Sequence, residues 1–247
     1  MLELRNISFA AADEEGKKEI LRDVNLKIDD GRFVVITGPN GGGKSTLAKL
    51  IAGIETPDSG SILLDGEDIT KLSITERARR GIGFGFQTPV RFKGIQVYDL
   101  LRMASGRQIS VAEGCEYLSR VGLCAKDYIN REVNSSLSGG ELKRVEIATV
   151  LARNSRLSVF DEPEAGIDLW SFQNLIHIFE KMRMDNKDNI ILVISHQERI
   201  LRTADDIVVL TGGRITLSGT GEEILPKIIG TESAEDVCER LQEEAVS

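Results

Sequence analysis

Metal-binding and disulfide-forming side chains are scarce in this chain. Its 247 residues hold two histidines, His177 and His196, and three cysteines, Cys115, Cys124 and Cys238, with no Cys-x-x-Cys spacing. That inventory argues against a histidine- or cysteine-built metal centre and against a disulfide framework, and an odd number of cysteines fits a reducing compartment. The three thiols are read as structural or exposed. Positive charge is also short: 31 lysines and arginines face 39 acidic residues, giving a net charge of −8 and a pI near 5.0. Nucleic acid is therefore not expected as the main ligand, because phosphate backbones select basic surfaces. Long apolar runs are absent as well. The longest, such as Ile190 to Ile194, have strand length and fall far short of the roughly 20 residues of a membrane span. Met1 to Arg5 lacks the charged-then-apolar plan of a secretory signal. A cytoplasmic protein without direct membrane insertion is the expectation.

What is present is a chain long enough for one large domain, or a domain with a subdomain. Its clearest feature is Gly38-Pro39-Asn40-Gly41-Gly42-Gly43-Lys44-Ser45-Thr46, preceded by the apolar run Phe33 to Ile36 and followed by Leu47 to Ala52. The order is strand, glycine loop, helix, with the Gly-x-x-x-x-Gly-Lys-Ser spacing of a phosphate-binding loop. Glycines let several backbone N–H groups turn onto one anion, and the new helix adds the positive end of its dipole. Lys44 is placed to reach the β- and γ-phosphates, and the Ser45 hydroxyl to ligate Mg²⁺.

Around this loop the chain alternates strands and helices. Residues 2 to 9, Glu19 to Ile28, Ser61 to Gly66 and Ile82 to Gln87 read as strands, followed later by Leu157 to Phe160, Ile190 to Ile194 and a hairpin through Gly212-Gly213. Arg77, Arg79 and Arg80 are expected to form a solvated face of a short helix. From Val97 to about Arg153 apolar residues recur at helical spacing, which predicts a helical subdomain inserted into an α/β core. A long helix is expected from about Asp168 to Met184, with Trp170 as a packing or interface anchor and His177 as structural, and terminal helices over Glu222 to Ile228 and Ala234 to Glu244.

Four further stretches narrow the chemistry. Leu137-Ser138-Gly139-Gly140-Glu141 opens a helix, where small residues free N–H groups for an anion. Asp161 and Glu162 end a strand that reads as buried. Asp161 is placed to hold Mg²⁺, and Glu162 to orient or deprotonate an attacking water. Gln87, at a strand end, is a sensor of the γ-phosphate or Mg²⁺, and His196, past another strand, a partner of the γ-phosphate and the water.

This set resembles the nucleotide-binding domain of the ABC ATPase superfamily over nearly the whole chain. The resemblance implies an α/β fold: a P-loop NTPase core of ABC type with an antiparallel β subdomain and an inserted helical subdomain. It implies one ATPase domain over 1–247, with 1–87 and 155–247 forming the catalytic core and β subdomain and 88–154 the helical signature subdomain. Gly38 to Thr46 then match Walker A, Gln87 the Q-loop, Ser138, Gly139 and Gly140 the signature, Asp161 and Glu162 Walker B, Asp168 the D-loop, and His196 the switch histidine. ATP and Mg²⁺ are the implied cofactors. The implied assembly is a head-to-tail pair of copies with ATP between Walker A of one and the signature of the other. Two positions depart from the pattern. Ala11 replaces the aromatic that stacks on adenine, and Phe9 is assigned to the core; Glu164 adds negative charge near the dimer seam.

Phe86-Gln87-Thr88-Pro89-Val90-Arg91-Phe92-Lys93-Gly94-Ile95 is similar to the stretch after the Q-loop in the SufC family of iron–sulfur cluster assembly ATPases. Asn130 to Asn134 followed by Leu137 to Arg144, and His196 to Leu201, are similar too. The resemblance implies a SufB/SufD-like scaffold docking near Thr88 to Ile95. The alternatives are the ATP-binding subunit of a membrane ABC transporter, which shares the ATPase motifs, and a slow nucleotide-gated clamp, which the intact Lys44, Asp161, Glu162 and His196 disfavour.

Overall fold

A computed structural model describes residues 1–13, 16–134, 136–167 and 169–229. Three of its strands are apolar on both faces: β3 (Phe33–Thr37), β7 (Leu157–Asp161) and β8 (Ile190–Ile194) are buried at every residue. Such runs fit the centre of a parallel sheet covered on two sides. They lie at the heart of a six-stranded sheet that adds β6 (Ile82–Gly85), β9 (Asp206–Thr211) and β10 (Arg214–Thr220), in the order β10-β9-β3-β8-β7-β6. Only the β9–β10 hairpin is antiparallel, and Phe33 aligns with Ile191 while Phe160 aligns with Val193. Because β3, β6, β7 and β8 run the same way, their C-terminal ends open on one edge of the sheet. Ligands bind at that edge in open α/β sheets.

The strand period of two divides the core. Val34, Ile36, Leu192 and Ile194 face helix α1 (Lys44–Ala52) and a second sheet, whereas Phe33, Val35, Ile191 and Val193 face the remaining helices. The second sheet is antiparallel, β2-β1-β4-β5, from β1 (Leu2–Asp13), β2 (Gly16–Ile28), β4 (Ser59–Leu64) and β5 (Glu67–Asp68). Its β1 does not alternate strictly: a bulge at Asn6, whose φ is 50°, turns Ile7 inward after Leu2 and Leu4. On the other face stand α3 (Val97–Ser105), α4 (Val111–Arg120), α5 (Ala125–Tyr128) and α6 (Gly139–Arg153), with α7 (Leu169–Asp185) and α9 (Gly221–Ile229). The expected parallel core, antiparallel sheet and helical insertion are all present. Among the described residues no helix is long and apolar enough to cross a membrane.

Some expectations are corrected. Arg77, in α2 (Ile74–Arg79), is not part of a solvated face but 1% exposed, while Arg79 and Arg80 are exposed. Its guanidinium donates to the carbonyls of Leu50 (2.5 Å), Ile51 (2.9 Å), Thr70 (2.8 Å) and Leu72 (3.1 Å). It thus places a positive group at the C-terminal end of α1, where carbonyls lack helical partners and the dipole is negative. His177 is not packed: its side chain is 74% exposed beside Glu180. A short helix not foreseen, α8 (Glu198–Leu201), follows His196. Phe9 is half-buried against the core as expected, Cys115 is half-buried and Cys124 exposed. Cys238, the helix expected over Ala234 to Glu244, Asp168 and the side chain of Trp170 lie outside the described residues.

Candidate functional site

Glycine makes the loop after β3 possible. Gly38 has a φ of 136°, and a Cβ there would stand 2.1 Å from the Leu210 carbonyl oxygen. Gly43, with a φ of 98°, caps α1, and a Cβ there would fall 2.7 Å from the Leu21 side chain. The chain therefore turns at once from strand into helix and presents the first N–H groups of α1 at the sheet edge. Asn40 and Gly41 form the exposed lip of this turn; Pro39 and Thr46 are half-buried, Gly42 buried. Lys44 folds back along the loop, its ammonium donating to the carbonyls of Gly38 at 2.7 Å and Pro39 at 2.8 Å.

The ends of β7, β6 and β8 meet this loop. Ser45 donates its hydroxyl to Asp161 Oδ1 at 2.9 Å, joining α1 to β7. Burial pushes the Asp161 carboxyl above its ordinary range, against the pull of the Ser45 hydrogen bond. A hydroxyl and a buried carboxylate on one spot are hard oxygen donors, the set that suits Mg²⁺. A bound cation would also relieve the cost of charging Asp161 there. Among the described residues no group of three or more histidine, cysteine, aspartate or glutamate side chains is arranged to hold a metal.

Glu162 follows with a φ of 43°, a left-handed conformation uncommon outside glycine, and its N–H donates to the Ile194 carbonyl at 3.0 Å. Such backbone costs on the order of 1–3 kcal/mol and persists where the surroundings impose it. The Gln87 amide donates to Glu162 Oε2 at 2.6 Å. His196 is exposed at the end of β8. Beside it Ser195 donates to Glu164, and the Gln197 N–H donates to Ser195 Oγ at 3.0 Å. Glu164, read in the sequence as a negative charge near the dimer seam, is half-buried. Its Oε2 is buried without a hydrogen bond, and burial pushes the carboxyl above its ordinary range.

The structure thus brings Lys44, Ser45, Gln87, Asp161 and Glu162 to one edge, with His196 on the neighbouring strand end. It does not bring Ser138, Gly139 and Gly140 into that cluster through any hydrogen bond among the described residues. Ser138 caps α6 and is exposed; its hydroxyl accepts the Glu141 N–H at 3.3 Å, and Glu141 accepts the Ser138 N–H at 2.7 Å. Tyr128 holds the same carboxylate from the other side, and the two contacts keep Glu141 below its ordinary range. A Cβ at Gly139 would meet nothing within 4 Å, so no neighbour inside the protomer demands glycine there.

Two residues that the sequence reading gave no role touch this region. Lys143 and Glu146, on the inward face of α6, bond the backbone of Phe86 and Gln87. The available signal was their phase, since they sit on a helix face with buried Leu142 and Val145.

Compared with known proteins, the chain matches the sequence profile of the ABC transporter family over residues 21–165. It is 37% identical over 217 residues to an uncharacterized ABC transporter ATP-binding protein of Methanocaldococcus jannaschii, covering 85% of this chain and 86% of that protein. To the lipopolysaccharide export system ATP-binding protein LptB of Escherichia coli K12 it is 33% identical over 213 residues, covering 84% of this chain and 87% of LptB. Its fold matches a dimeric ATP-binding cassette solved in a post-hydrolysis state with ADP and Pi, at a TM-score of 0.80 and 26% identity, over 89% of this chain and 98% of that one.

Proposed function

The chain belongs to the ABC transporter family of ATP-binding proteins, and from that premise we propose that it hydrolyses Mg-ATP between two head-to-tail copies to drive a separate partner protein. In this reading residues 1–247 form one ATPase domain, with 1–87 and 155–247 as catalytic core and 88–154 as the helical part that carries the signature. The loop Gly38 to Thr46 and the N-terminus of α1 cradle the phosphates, with Lys44 leaving its loop carbonyls for the β- and γ-phosphates. Ser45, Asp161 and Gln87 would hold Mg²⁺, which would supply neutralisation of the phosphate charge. Glu162 accepts the proton of a water whose oxygen attacks the γ-phosphorus while the bond to the bridging oxygen breaks; His196 orients that water. Ser138 to Gly140 of the second copy, with Asp168 at the seam, complete the site.

The observation that carries this reading is the double link across strand ends, Ser45 to Asp161 at 2.9 Å and Gln87 to Glu162 at 2.6 Å. A metal-binding pair and a base are thereby held side by side next to a phosphate loop. Glu162→Gln should cut ATP turnover by about 10²–10⁴-fold, the usual contribution of a general base, with ATP binding retained. Equal turnover in the two proteins at saturating Mg-ATP would remove Glu162 from the mechanism.

The partner is assigned to the face next to Gln87. An apolar groove of about 300 Å³ runs there, lined by Phe84, Phe86, Val90, Phe92 and Met103 with Glu146 at its wall. Val90 is 45% and Phe92 36% exposed, more apolar surface than a strand-to-helix connection needs. The resemblance of Phe86 to Ile95 to the SufC family supports a SufB/SufD-like scaffold as the occupant. A membrane component is the second reading, favoured by the names of the relatives, which describe transport and export systems. Purification of the tagged protein from its own host, with identification of associated chains and bound iron, separates them. A co-purifying membrane permease without a soluble scaffold rules out the first.

A further inference from the structure

Lys143 is a buried cation with an unusual set of partners. It lies one turn into α6, past the signature residues, and is 1% exposed. Its ammonium donates to the carbonyl of Phe86 and, at 3.3 Å, to that of Gln87. Glu146, one turn further along, accepts the Phe86 N–H at 3.0 Å through Oε1, while its Oε2 lies 3.2 Å from the Lys143 ammonium in an ion-pair contact without hydrogen-bond geometry. Three backbone groups in a two-residue segment are therefore fixed by one ion pair on one helix. Taking two charges out of water is expensive, and such a pair is often no more stabilising than well-packed apolar residues. A reason other than stability is indicated, and the segment held supplies it: Gln87 is the residue whose side chain reaches Glu162 at 2.6 Å.

We propose that Lys143 and Glu146 are positioning residues of the ATPase, a buried clamp that registers Gln87, and through it Glu162, against the helix bearing Ser138 to Gly140. The clamp touches neither the phosphate loop nor the attacking water. It makes the Gln87 segment and the signature helix move as one body, so that the Ser138 to Gly140 stretch this copy lends to the second copy's site and the Gln87 side chain in its own site keep a fixed spacing. The proposal rests on the assignment of Gln87 as a Mg²⁺ ligand.

The test is a Mg²⁺ titration of ATP turnover at saturating ATP in wild type, Gln87→Ala, Lys143→Met and the double variant Lys143→Met/Glu146→Gln. The double variant removes both charges, so it folds even if Lys143→Met alone leaves a damaging unpaired carboxylate; thermal melts establish that it does. The expected result is a rise of about tenfold in the Mg²⁺ concentration for half-maximal turnover, with a fall in kcat of similar size, the usual effect of removing a group that orients a metal ligand. KM for ATP should stay near the wild-type value, because the phosphate cradle is untouched. A folded double variant with wild-type Mg²⁺ dependence and kcat, alongside a shifted Gln87→Ala, overturns the clamp and leaves Gln87 in place. An unshifted Gln87→Ala overturns the assignment of Gln87 and the clamp with it.

Discussion

Glu164 is held in a position that suits its acid form better than its charged form. One oxygen accepts the Ser195 hydroxyl, the other is buried without a hydrogen bond, and burial raises the carboxyl, with nearby His196 working against that rise. The folded pKa is thus above the unfolded one. The contribution of this group to stability is fully present below its ordinary value of 4.5 and is lost as pH rises through the folded pKa. Glu164→Gln keeps an acceptor for Ser195 and carries no charge to desolvate. It should therefore melt above wild type at pH 8, and the difference should vanish near pH 4, where the carboxyl is protonated in both states. A variant less stable than wild type at pH 8 would mean that the charged carboxylate is an asset. Arg77 is the opposite case, a charge whose burial is compensated by four carbonyls at the end of α1 and between β5 and α2.

At the scale of elements, what could be read in advance follows from where each signal resides. The strands β3, β7 and β8 were legible because being covered on both faces requires unbroken apolar runs, and the loop after β3 because only glycine tolerates its backbone. The start of α6 was legible because Ser138 and Glu141 cap it reciprocally. The bulge that turns Ile7 inward was not, since it depends on pairing with β2 and β4 rather than on local composition. The same holds for Arg77, Lys143 and Glu146. Charged residues on helices ordinarily face water, and only the approach of distant carbonyls and N–H groups makes their burial tolerable. In the site, Asp161 and Glu162 were visible as acids ending an apolar strand. The hydrogen bond from Gln87 to Glu162 was not, because it spans 75 positions of chain.

At the scale of the whole molecule, the protomer exposes half of its proposed site. Ser138 and Gly139 face outward, and a Cβ at Gly139 has open space around it. A second copy is the proposed owner of that space. Association is opposed by charge, since each chain carries a net −8 and the nucleotides add more of the same sign. In the proposed assembly Mg-ATP bridges the seam, and salt, by shortening the range of the repulsion to about 8 Å near physiological strength, should help the pair form. Sedimentation of the Glu162→Gln protein should therefore show monomer without nucleotide and dimer with Mg-ATP, with the dimer strengthened between about 0.01 and 0.15 M salt, as the Debye length falls from about 30 to 8 Å. Adding Gly139→Ala to that protein should leave its melting temperature unchanged or slightly raised, because glycine is the weaker helix former by up to about 1 kcal/mol. The same substitution should abolish the dimer, because the methyl group occupies the space a nucleotide phosphate would enter. A dimer equally tight without Mg-ATP, or one indifferent to Gly139→Ala, would place the signature away from the nucleotide.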